Sequence, residues 1–169
     1  MFQKKTGPER RRGGERGFSM IEVAVVLLII AIVAAFVVPQ ILAYMRMYRV
    51  GVAARNVATA LQRARFLATS NNTRAGILIP ELQRVDIQQY DPEGKREPQL
   101  KGAVSLPEGV TIDAEAPRQL AFDGRGVVTP LPTEKASIRV NGAKGYYAIV
   151  VVSPTGQITI SEAKEETKS

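Results

Sequence analysis

Residues 16–39, RGFSMIEVAVVLLIIAIVAAFVVP, decide how the rest of this 169-residue chain is read. From Phe18 to Val38 there are 21 residues, and only Ser19 and Glu22 are polar. As an α-helix, at about 1.5 Å per residue, such a run covers roughly the 30 Å of a bilayer's hydrocarbon. Before it stand residues 1–17, MFQKKTGPERRRGGERG, with six Lys/Arg against two acidic residues. Basic residues flanking an apolar span stay on the cytoplasmic side, so the N-terminus is expected inside and everything after Pro39 outside. Residues 1–17 have no apolar run from which to build a core.

Working outward, the helical pattern continues past Pro39. Val50, Ala53, Val57, Ala60, Leu61, Ala64, Leu67 and Ala68 share one face, which predicts a single helix over about 18–69. That is several times the usual globular length of about 11–12 residues, so its first half needs lipid or partner helices for cover. Its second half has an apolar face for a domain. Ser70-Asn71-Asn72 predicts the stop. Beyond Thr73 the sequence breaks into short β-rich runs punctuated by Gly, Pro, Asn and Asp. Strands are predicted at 75–79, 84–89, 103–106, 110–113, 119–122, 127–129, 137–140, 146–152 and 157–160. Residues 161–169, SEAKEETKS, are expected to fray. The fold class that follows is α+β: a long N-terminal helix packed on an antiparallel β-sheet.

Composition narrows the function. The chain contains no Cys and no His, which closes the Ser-His-Asp triad, the Cys nucleophile and His- or Cys-ligated metal. An enzyme is not expected, nor a cofactor or metal. The formal charge of +7 falls mainly on residues 1–17, since the remaining chain holds seventeen Lys/Arg against fourteen acids. Gly124-Arg125-Gly126 reads as a tight turn, because strand residues rather than a helix follow it. Asp91-Pro92-Glu93-Gly94 likewise reads as a β-turn, with too few oxygen ligands for a calcium loop.

Two residues of the apolar segment carry a physical signature. A carboxylate at Glu22, at the edge of a spanning helix, costs about 2–3 kcal/mol or more unless it is neutralised or paired. Pro39 removes one backbone N–H and crowds the preceding turn, so a kink is expected there. The order of parts is also informative: in a secretory signal the small-residue cut site follows the apolar run, whereas here Gly17 precedes it.

Arg16-Gly17-Phe18-Ser19-Met20-Ile21-Glu22 resembles the processing site of type IV prepilins and pseudopilins. The resemblance implies that a prepilin peptidase cuts between Gly17 and Phe18 and methylates the new N-terminus at Phe18. It makes Glu22 the acidic residue used in assembly, pairing with the Phe18 amine of a neighbouring subunit, and Pro39 the place where many pilin helices bend. Unlike many filament-forming pilins, the chain has no Gly between Val23 and Val38. Further on, Leu120-Ala121-Phe122-Asp123-Gly124-Arg125-Gly126-Val127-Val128 and Ile149–Ile158 resemble the domain shared by GspH minor pseudopilins and FimT minor pilins. That domain has a Phe-x-x-x-Gly turn and a closing Ser-x-x-Gly hairpin.

The resemblance implies three parts: a leader at 1–17, a transmembrane and filament-core half-helix at 18–43, and an extracytoplasmic helix and sheet at 44–169. It implies the inner membrane first and a pseudopilus or pilus later. The implied partners are the peptidase, other pilin or pseudopilin subunits and an inner-membrane assembly platform. DNA is the rival partner, since some FimT-type pilins serve DNA uptake. Between Val23 and Pro80 lie six Arg and no acidic residue, with Arg63 and Arg65 the candidate contacts. Against that, Arg55, Arg63 and Arg65 make no single stripe at about 100° per residue, and Gly156-Gln157-Ile158-Thr159 in the closing hairpin is not basic.

Overall fold

A computed structural model describes residues 18–91, 93, 97–130 and 135–166. The chain divides into two compact units, Met1–Gln40 and Ile41–Ser169. Helix α1 (Met20–Ser70) is one 51-residue element with Pro39 inside it.

In the first unit α1 is apolar all round. No residue of its most hydropathic 18-residue window is buried, and the mean hydropathy of that window, 3.2, qualifies it by length and composition to cross a membrane. Such a helix makes no core of its own. It is built to be covered by something else.

In the second unit α1 buries Val50, Ala53, Ala54, Val57, Ala58, Ala60, Leu61, Ala64 and Ala68. At about 100° per residue these span an arc of roughly 160°, wider than one sheet needs. The reason is that two sheets, not the single one expected, share the core with it. Sheet A runs β3-β2-β1-β5-β6, built from β1 (Ala75–Glu81), β2 (Arg84–Gln89), β3 (Gln99–Ser105), β5 (Gln119–Phe122) and β6 (Val128–Thr129). Sheet B runs β10-β8-β7-β4, from β4 (Thr111–Ile112), β7 (Ala136–Asn141), β8 (Tyr146–Val152) and β10 (Lys164–Glu165). Strand β9 (Ile158–Ile160) pairs with β8 as well. Every pairing is antiparallel. Alternation puts Ile77, Ile79, Val85, Ile87 and Phe122 of one sheet and Ile138, Val140, Ala148, Val150 and Val152 of the other into one core with the helix. Small side chains on α1 let both sheets approach it closely.

Three strands, 84–89, 119–122 and 146–152, have the bounds predicted from their β-rich runs. Two corrections stand beside them. Strand β3 begins at Gln99, four residues earlier than its β-propensity indicates, because Gln99 and Leu100 are carried by pairing with Gln89 and Gln88. Residues 164–165, expected to fray, form β10 on Tyr146 and Tyr147. A charged segment holds as a strand there because backbone bonds, indifferent to side-chain type, tie it to an edge. The helix ends as predicted. Asn72 adopts φ 48°, and the Thr73 N–H bonds back to the Ala68 carbonyl at 3.0 Å, an αL stop of the kind asparagine tolerates. Of the expected Asp91–Gly94 turn, Pro92 and Gly94 lie outside the described residues.

Candidate assembly segment and basic helix face

Gly17 lies outside the described residues. Phe18 is 80 % exposed and stands just before α1. Glu22 occupies the first turn of the helix, where a carboxylate complements the unsatisfied N–H groups. It is the only acidic residue in α1, and among the described residues no cation approaches it. Pro39 cannot bond to the carbonyl of Ala35, which leaves one gap in the helical ladder.

The two candidate DNA-contacting arginines are not brought together. Arg63 is exposed and extends over Gly102 of β3; no ion pair or hydrogen bond to it is found among the described residues. Arg65 turns the other way, and its Nε–H donates to the Gly126 carbonyl at 3.1 Å. That contact sits where the two C-terminal motifs meet. Gly126 and Gly156 both have positive φ, 78° and 82°, and a Cβ on Gly156 would run into the Gly126 carbonyl and the Arg65 guanidinium. The Val128 N–H reaches across to Pro154 at 3.0 Å, so the Phe122-to-Gly126 turn of sheet A and the Ser153-to-Gly156 turn of sheet B are stapled together over the helix. Asp123 braces the first turn: the Val127 N–H, then Arg125, hold its carboxyl below the usual carboxylate range against the opposing effect of burial. Sequence reading missed this role of Arg65. The signal was present in two turn glycines spaced to meet one helical arginine, but it becomes legible only once both turns are known to lie at the same end of α1.

No group of three or more His, Cys, Asp or Glu side chains capable of holding a metal occurs among the described residues.

An exposed apolar helix with one acid in its first turn, continued into a helix that fills a two-sheet core, defines a pilin-like subunit. Residues 12–38 match the prokaryotic N-terminal methylation motif, and residues 53–156 match the type II transport protein GspH family. The chain belongs to the GspH family of minor pseudopilins and pilins. Among solved structures it resembles the minor pseudopilin EpsH from the type 2 secretion system of Vibrio cholerae, with a TM-score of 0.54 and 16 % identity over 68 % of this chain and 97 % of that one. It also resembles the Pseudomonas aeruginosa type IV minor pilin FimU, with a TM-score of 0.56 and 16 % identity over 70 % of this chain and 92 % of that one. No curated protein sequence shows significant similarity to it. The exposed apolar helix and the family together fit anchoring in the inner membrane.

Proposed function

We propose that this chain is a structural subunit, a minor pseudopilin of a type II secretion pseudopilus. It is made as a precursor, cut between Gly17 and Phe18 and N-methylated on Phe18. The subunit waits in the inner membrane with its N-terminus cytoplasmic and residues 44–169 outside, bends at Pro39, and enters the filament through Glu22. The single observation that carries this is the match to the GspH family over residues 53–156, directly following a methylation motif at 12–38.

Processing is the first test. Full-length protein co-expressed with a prepilin peptidase and extracted from membranes is expected to give an intact mass for a chain beginning at methylated Phe18. Gly17→Val, which fills the space beside the scissile bond, is expected to leave all of it uncut. Wild type that stays uncut under those conditions removes the assignment.

One observation favours a second reading, a FimT-type pilin that takes up DNA. Arg46, Arg49, Arg55 and Arg63 find no acidic partner among the described residues. Even so, the expected result is no binding to duplex DNA at micromolar concentration near about 150 mM salt, because a site for several phosphates would lose affinity with a log–log slope of about −0.9 per phosphate. Tight binding abolished by Arg63→Ala would promote the second reading. Arg63 is the residue to change, since Arg65→Ala would also remove the bond to Gly126.

A further inference from the structure

An open sheet edge is a template for a further strand, and folded proteins blunt such edges with charge, bulges or brevity. Strand β3 breaks register at Lys101, β4 and β6 are two residues long, and β10 is Lys164–Glu165. Strand β9 has none of the first two defences. Bonds from the Ser153 N–H to Gln157 and from the Ser161 N–H to Ile149, both 2.9 Å, carry its ladder on β8 over residues 157–161, a stretch without charge, proline, glycine or bulge. Since Gln157, Thr159 and Ser161 are the residues that face β8, the N–H and C=O of Ile158 and Ile160 point away from it. Among the described residues no strand pairs with that side. Ile158 and Ile160 pair with Val152 and Val150 and so lie on the core face of sheet B, yet Ile160 is 43 % exposed where both valines are fully buried. The strand overhangs the helix. Under the overhang two open hollows lie end to end along α1. One, of about 720 Å³, is lined in part by Gln62, Arg65, Phe66, Gln157 and Ile158; the other, of about 350 Å³, in part by Tyr44, Tyr48, Arg55, Ile160, Ser161 and Glu162. Phe66 and Tyr48 are 68 % and 56 % exposed.

We propose that the free edge of β9 docks an extended segment of a different subunit of the filament, which joins sheet B as a further strand and lies across both hollows. The inference rests on the filament-subunit reading. The chemistry of the occupant follows from what lines the site. Outward N–H and C=O groups recurring at every second residue call for a polypeptide backbone, which neither lipid nor nucleic acid supplies. Alternate side chains of an added strand point toward α1, where Phe66, Tyr48 and Ile160 offer apolar cover, so those positions of the segment are apolar. Arg55 and Glu162 stand together in the smaller hollow, one charge of each sign, whereas Arg65 in the larger one is already bonded to Gly126. Charged residues of the segment therefore belong at the Arg55 and Glu162 end. A second copy in the same membrane does not fit, because pairing β9 antiparallel with itself turns the two α1 helices head to tail.

Proline separates docking from folding. Ile160→Pro removes only an N–H that points away from β8, a place where an edge strand tolerates proline. The full-length variant, in membranes that hold a prepilin peptidase and the other subunits of its system, is expected to be cut as wild type is. In mild detergent it is expected to melt within a few degrees of wild type, yet to cross-link to its neighbours about tenfold less. Ile160→Thr, which keeps the N–H, is expected to lose about threefold at most. Wild type gives a check that needs no substitution. Its Ile158 and Ile160 amides are expected to exchange hydrogen about tenfold more slowly in membranes holding the other subunits than in membranes holding this chain alone, with Thr159 unchanged. Should Ile160→Pro fail to fold, that exchange decides alone. Ile160→Pro that folds and cross-links like wild type would overturn the proposal, as would Ile158 and Ile160 amides that stay fast. So would amides already slow in membranes holding this chain alone, which would assign the edge to lipid or a second copy. If wild type is cut and cross-links while the β9 edge stays open, the edge proposal falls and the filament reading stands. If wild type is neither cut nor cross-linked, both fall.

Discussion

Glu22→Leu is expected to yield a subunit that inserts and is cut like wild type yet is absent from filaments. The substitution removes a polar group from an apolar helix, so insertion should be at least as efficient, by up to about 2–3 kcal/mol on the scale of charged residues in membranes. Cleavage should be unaffected if the peptidase reads Gly17 and Phe18. Assembly is the step expected to suffer, because Glu22 is the one carboxylate in α1 and the α-amine that the proposed cut would create at Phe18 would be a cation in the same apolar layer. Leaving that amine buried without a partner costs several kcal/mol, enough to reduce incorporation by two orders of magnitude or more. Glu22→Gln should be partly defective, since an amide accepts a hydrogen bond from the amine without neutralising it. The measurement is cross-linking of mature subunits in membranes, wild type beside the two variants. Equal cross-linking by Glu22→Leu would make Glu22 a residue of the headgroup region with no role in pairing.

The largest effect on the fold itself is expected at Gly156. Its φ of 82° lies in the left-handed region, and an added Cβ would strike the Gly126 carbonyl. Left-handed strain of about 1–2 kcal/mol and overpacking of about 1–3 kcal/mol act together, so Gly156→Ala should destabilise the folded unit by about 3 kcal/mol. Its melting temperature should fall by roughly 10 °C, read from the tyrosine signal of the full chain in mild detergent. Gly51→Ala should do the opposite, gaining up to about 1 kcal/mol, because its Cβ meets nothing and alanine favours the helix. A Gly156→Ala protein that melts with wild type would mean that the two turns do not staple the sheets.

Gly156 also shows how far sequence reading reached. Gly156 was legible as a turn residue because Ser153-Pro154-Thr155-Gly156 interrupts two β-rich runs. Its second duty, leaving room for Gly126 and Arg65, depends on contacts with segments about thirty and about ninety residues earlier, which no local pattern encodes. The helix with its αL stop and the strands of strict alternation, such as Arg84–Gln89, were legible because period and burial agree. The second sheet was not. Alternation marks which side of a strand is buried and leaves open which strands are neighbours, so β7 and β8 read the same whether they extend sheet A or start sheet B.

The arrangement around β8 has a consequence for biosynthesis. Its sequence, YYAIVVV, has no charge, proline or glycine. One edge is taken by β7, made before it, while the other is closed only by β9 and β10, made after it. During synthesis there is thus an interval in which seven apolar residues stand ready with one row of backbone donors and acceptors vacant. Such an edge recruits whatever strand is nearby. The charged segment Ser161–Glu166, which looks dispensable in the finished subunit, completes the closure that β9 begins, and nascent chains halted before it are the ones a chaperone or protease would meet.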